Sequence, residues 1–248
     1  MVTLGHGIRV APKFRIMFGH TGTMNEKVIR FTPSEKSYYA QSIESDFLKS
    51  RETYISAALI EVPIGQSLIG GPFVDLPEGL TYPDGHVFVA QLKLADVSKV
   101  DPNDLLPKSG YLYVFCSEHM DSGKVFYADV HETQLTRVVK DHDQNFFLGN
   151  VVKDVFADVD DLEKRYSGEG ASREWDYFAG SRTSKIFGYF THCQYGESEI
   201  LAKTADDVLV LLQVGEDFTE EGVLSVTIKK ESLVKRDFSD CHFAWGQS

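Results

Sequence analysis

The sequence predicts a mainly β, α+β body with internal duplication and a few short helices, and three observations carry this reading. The first is a set of short runs rich in β-branched and aromatic residues, broken by Gly, Pro, Asp and Ser. The second is a similarity between two of these regions. Ser67–Phe73 aligns with Ser184–Phe190 at an offset of 184 − 67 = 117 residues. VFVAQL with Gln91 then parallels LVLLQV with Gln213, and Gly110–Val114 parallels Gly222–Val226. The third is the lack of long apolar stretches at helical period.

Taken in chain order, Lys13–Gly19 alternates as a strand would. Thr32-Pro33-Ser34-Glu35 reads as a capping box with proline at the first helical position, and Tyr39, Ile43 and Phe47 follow at four-residue spacing. These predict a helix within a variable N-terminal region, residues 1–53, packed on the body. From Tyr54 the character is β: Tyr54–Val62, Val87–Leu94, Tyr111–Cys116 and Lys124–Val130. Asp101-Pro102 opens a helical turn that Pro107 closes, and Asp158 caps a short acidic helix through Tyr166. The last third returns to strands at Ile186–Phe190, Val208–Val214 and Val223–Ile228, with one helical turn at Glu231–Lys235. No linker separates autonomous halves. The duplicated domain is therefore 54–248, with repeats at about 54–140 and 180–246.

The chain of 248 residues carries 25 Lys+Arg against 37 Asp+Glu, a formal charge of −12. That balance opposes binding to nucleic acid or an anionic membrane, where affinity comes from neutralising phosphates. The most apolar segments are five or six residues long, far short of the roughly 20 a membrane helix requires. Three cysteines without CxxC or Cys/His zinc spacing, and no Asn-x-Ser/Thr acceptor, fit the cytoplasm.

The acids are concentrated. Residues 141–180 hold ten acids and four bases, and residues 206–221 hold six acids and no base. A solvated face is one reading; a docking surface for a basic protein partner, with Glu216 and Asp217 among its charges, is the other.

Catalytic signatures are absent. Gly65-Gln66-Ser67-Leu68-Ile69 lacks the second glycine of a nucleophile elbow, and no phosphate loop or HExxH motif occurs. Asp141-His142-Asp143 has loop character. His192-Cys193 would point to opposite strand faces, and Asp158-x-Asp160-Asp161 lacks the glycine and glutamate of a calcium loop. No cofactor, metal or catalytic residue is assigned. A binding or protein-interaction module is the expectation. A hydrolase assembled from distant loops, such as Asp141, His142, Asp217 and His242, is the alternative.

One segment resembles a known family. Ile69-Gly70-Gly71-Pro72-Phe73-Val74-Asp75-Leu76-Pro77-Glu78-Gly79-Leu80-Thr81-Tyr82-Pro83 is similar to the signature of the YwqG-like proteins, a family of unknown function. Pro72 directly follows the glycine pair, and Tyr82 stands where the family has tryptophan. The strand ending in Gln91, the segment Ser184–Gly188, Gln213, Gly215-Glu216-Asp217, and the ending Leu233–Ser239 with Trp245 beyond it are also family-like. The resemblance implies a roll-like β architecture with internal duplication; it supplies no activity, and an immunity-like role is open only through the resemblance. The signature residues Gly70, Gly71, Pro72, Leu76, Pro77, Gly79 and Pro83 read as scaffold. They permit positive φ or fix it, in an extended connection. Gln91, Gln213, Glu216, Asp217 and Trp245 are the candidate binding residues. The two glutamines end apolar strands, where a buried amide needs partners: either each ties down a neighbouring loop backbone, or both face one groove between the repeats.

Overall fold

The β-branched and aromatic runs become strands because their side chains suit a half-buried pleated surface. A computed structural model describes residues 25–37, 62–140, 147, 149–161, 183–192, 194–195, 207–219 and 222–246. The strands are β1 (Asn25–Ser37), β2 (Leu68–Ile69), β3 (Phe73–Pro77), β4 (His86–Lys93), β5 (Tyr111–Ser117) and β6 (Gly123–Ala128). They continue with β7 (Leu135–Val139), β8 (Asn150–Asp161), β9 (Lys185–Phe187), β10 (Val208–Val214), β11 (Val223–Lys229) and β12 (His242–Gly246). Two short helices, α1 (Leu94–Val97) and α2 (Lys230–Val234), and two 3₁₀ turns complete the described elements. The protein is mainly β.

Ten strands form one antiparallel sheet in the order β12-β11-β10-β9-β1-β8-β2-β4-β5-β6, and β3 and β7 pair separately. Read outward from the central β1–β8 ladder, both flanks have the same plan of one short strand and three longer ones. The plan extends to irregularities. β4 is bulged between Phe88 and Ala90, and β10 between Val210 and Leu212, each just before the strand's glutamine.

Strand alternation divides β5 between two cores. Leu112, Val114 and Cys116 join the main core, which runs from Ile29 through Val89 and Ile186 to Leu224 and Phe238. Tyr111, Tyr113 and Phe115 face the other way, under the β3–β7 pair and its Phe73, Val74 and Leu76. The large sheet curls until its edges touch: a side chain at Gly123 in β6 would run into the Phe243 ring of β12. Tyr127 lies 6.2 Å from Phe238 between ring centroids. No ladder joins β6 to β12 among the described residues, so side chains shut the roll.

Three expectations are corrected. Thr32-Pro33-Ser34-Glu35 lies in β1 and opens no helix. The ladder with β8 overrides the local capping signal, and Pro33, which cannot donate, sits where the register shifts. Asp158 lies in β8, where its carboxylate accepts from Arg30 Nε at 2.6 Å instead of capping a helix. Asp101 begins no helix either. Its carboxylate accepts from the backbone amides of Asn103, Leu105 and Leu106 at 2.7–2.9 Å, and the helical turn comes earlier, at α1. Expected elements at Lys13–Gly19 and Tyr54–Glu61, and the stripe of Tyr39, Ile43 and Phe47, lie outside the described residues. No described helix is long and apolar enough to cross a membrane.

Candidate functional site

The first polar cluster forms where β4 ends under the β3–β7 pair. Gln91 is fully buried. Its Nε2 donates to the Gln66 carbonyl at 2.9 Å, and its Oε1 accepts from the Asp75 amide at 2.7 Å. The buried Asp75 carboxylate accepts from Arg137 Nε at 2.7 Å, from Arg137 Nη2 at 3.0 Å and from the Gly65 amide at 2.8 Å. The guanidinium also donates to the Val62 carbonyl at 2.8 Å and lies 4.1 Å above the Phe73 ring centroid. A bidentate pair stacked on an aromatic face is the geometry that makes a buried ion pair tolerable. Beside it, the buried Tyr111 and Tyr113 hydroxyls have no hydrogen-bond partner among the described residues. Burial pushes both phenols above their ordinary pKa.

The second cluster surrounds Gln213 on β10. Its Nε2 donates to the Thr183 carbonyl at 3.0 Å, and its Oε1 accepts from the Thr191 hydroxyl at 2.7 Å. Close by, the fully buried Lys185 ammonium pairs with the fully buried Asp160 carboxylate and donates to the Tyr189 carbonyl at 2.8 Å. Arg30 ties the pair to the surface. Nη2 reaches Asp160 at 2.7 Å, Nη1 reaches the Thr183 hydroxyl at 2.6 Å, and Nε reaches Asp158. Phe187 adopts φ = +67°, the left-handed region a bulky residue rarely enters, at the position aligned with Gly70 (φ = +69°).

Each glutamine holds its own loops, and the two share no described partner. The signature residues likewise build the cover over β4 and β5. At Gly70 a Cβ would strike the Phe147 Cβ, and the Pro72 carbonyl accepts from the Lys140 amide at 2.8 Å. Leu76 and Pro77 lie buried in β3, the Pro77 carbonyl closes the turn containing Gly79 onto Leu80 at 3.1 Å, and Pro83 is buried. Gly71 is also left-handed. Trp245 is half-buried, edge-on to Phe147 at 6.5 Å, and its carbonyl accepts from His192 Nε2 at 2.9 Å. Because the Gln194 amide donates to Nδ1 of the same ring, His192 is held as the Nε2–H tautomer.

The acids grouped by sequence behave differently from one another. Glu216 is exposed. The Asp217 carboxylate turns inward and accepts from the Ser184 hydroxyl at 2.6 Å and the Ser184 amide at 2.9 Å. Burial pushes its pKa up against the opposing pull of these bonds. Among the residues of the hydrolase alternative, Asp217 is thus committed to Ser184. His242 is exposed, its Nε2 lying 3.8 Å from a carboxylate oxygen of Asp240. Asp141, His142 and Cys193 lie outside the described residues, as do Glu220 and Glu221. No group of three His, Cys, Asp or Glu that could hold a metal occurs among the described residues.

One surface was missed from sequence. Asp154, Phe156 and Asp158 alternate along β8 and share a face with Thr32 and Arg30 of β1. The Thr32 hydroxyl donates to Asp154 at 3.1 Å, and Arg30 reaches Asp158. Phe156 is 40% exposed and the Asp158 side chain 45%. Asp154 and Phe156 were given no element from sequence, and reading Asp158 as a helix cap separated it from them.

A comparison with curated proteins finds no match. A family model described as a domain of unknown function, DUF1963, matches residues 67–246, the stretch that contains the signature segment, both glutamines and every strand from β2 to β12. The chain belongs to the DUF1963 family.

Proposed function

We propose that the protein is a YwqG-like binding module of the cytoplasm that docks a basic protein partner, rather than an enzyme. The observation that carries this reading is the exposed β8 face, where an aromatic ring stands between two carboxylates on a protein of net charge −12. An apolar contact flanked by opposite charge to the partner's supplies both affinity and steering. The buried polar side chains support the same reading. Gln91, Gln213, Asp75 and Asp217 are engaged in holding loops, and the Ser184 hydroxyl that donates to Asp217 is buried and itself accepts from the Gly215 amide.

We also infer that the two flanks of the sheet descend from one duplicated unit. The shared strand plan, the matching bulges and the matching glutamine contacts support this.

The test is affinity capture of the tagged full chain from its native cells at about 0.05 M and about 0.5 M salt, across which the Debye length falls from roughly 14 to 4 Å. A basic protein captured in stoichiometric amount at low salt and released at high salt is the expected result. Turnover of ester or peptide substrates by the purified chain, with no salt-sensitive partner, would overturn it.

A further inference from the structure

We propose that Asp154, Phe156 and Asp158 form a seat for an arginine side chain of the partner; this rests on the binding reading above and specifies its chemistry. The protein contains its own template for such a seat. On β3, Phe73 and Asp75 are two residues apart on one strand face, and the Arg137 guanidinium lies 4.1 Å over the ring while pairing with the carboxylate at 2.7 Å. On β8, Phe156 and Asp158 repeat that spacing on an exposed face, with Asp154 on the other side of the ring.

Same-face neighbours on a strand are about 7 Å apart, so a guanidinium stacked on Phe156 reaches a carboxylate on either side. Arg30 is the register partner of Phe156, but its guanidinium extends along the strand to Asp158 and Asp160 and leaves the ring uncovered. Among the described residues the Asp154 carboxylate accepts only the Thr32 hydroxyl, and no cation pairs with this exposed group. Arginine suits this seat better than lysine, because its planar, weakly hydrated group stacks on a ring and forks onto a carboxylate at once.

The test uses the full chain and two fluorescein-labelled probes, hexa-arginine and hexa-lysine, read by fluorescence anisotropy at low salt. Hexa-arginine should bind at least about 3-fold more tightly than hexa-lysine. Phe156→Leu should bring hexa-arginine down to the hexa-lysine level, Phe156→Tyr should restore the preference, and Asp154→Asn should weaken both probes. Equal binding of both probes, or a preference that survives Phe156→Leu, overturns the arginine seat and leaves the basic-partner reading standing. Binding of neither above a hexa-serine control overturns both.

Discussion

Gln91 and Gln213 make the same hydrogen bond from strands that are third from opposite edges of the sheet. Each donates through Nε2 to the carbonyl just before a serine, Gln66 before Ser67 at 2.9 Å and Thr183 before Ser184 at 3.0 Å. Each serine hydroxyl then accepts from the amide two residues beyond its glutamine. Ser67 accepts from Lys93 at 2.9 Å, and Ser184 from Gly215 at 3.0 Å. The contact closes a loop at each end of the short strand beside it and fixes where the cover over the sheet begins.

Truncating either glutamine therefore takes the partner from one part-buried carbonyl and one buried donor. Gln91→Ala and Gln213→Ala should each lower unfolding free energy by about 2–4 kcal/mol, since each orphaned group costs about 1–3 kcal/mol. Urea denaturation of the two variants checks this. A loss below about 1 kcal/mol in either would show that its loop is held by other means.

Tyr113 presents the reverse case. Its hydroxyl is buried with no described partner, so removing it deletes a desolvation cost and no bond. Tyr113→Phe should be more stable by about 1 kcal/mol, measured by the same denaturation. A destabilised variant would place a bonding partner on that hydroxyl.

Arg236 follows α2 at φ = +58°. Its amide donates to the Leu233 carbonyl at 3.0 Å, and the Asp237 amide to the Ser232 carbonyl at 2.9 Å. Paired bonds of this kind end a helix through a left-handed residue, a position glycine fills without strain. Its guanidinium lies 5.4 Å from the Tyr127 ring centroid, a modest compensation. Arg236→Gly should raise thermal stability, by about 0.5–1 kcal/mol.

Asp217 gives a pH dependence of defined sign. Its folded pKa is raised above the unfolded 3.8, mainly by burial. Its contribution is therefore present below that value and lost as pH rises through the folded pKa. Asn at this position keeps an acceptor for Ser184 and has no charge to desolvate. Wild type should accordingly lose stability relative to Asp217→Asn between pH 4 and pH 7, by urea titration at both. A constant difference would remove burial as the cause.

Strands β5, β10 and β11 were legible because their near-continuous β-branched and aromatic runs agree with burial along most of their length. The aligned glutamines were legible because an amide ending an apolar strand must be satisfied. What was not legible depends on partners remote in sequence. Thr32–Glu35 carries a sound local helix signal that loses to pairing with β8, more than a hundred residues away. The burial of Asp217 depends on Ser184, 33 residues before it. Lys185 reads as a solvent lysine until β8 delivers Asp160 to it. On the β8 face, Asp158 was read as a helix cap, and Asp154 and Phe156 acquire their role only through pairing with β1.

The contact of Gly123 with Phe243 sets the mechanics of the molecule. Along the strands and between neighbours, deformation must break backbone pairing; across the β6–β12 line it need only part rings. Girth is thus the compliant dimension. Among the described residues, that seam can part and close without re-registering any strand.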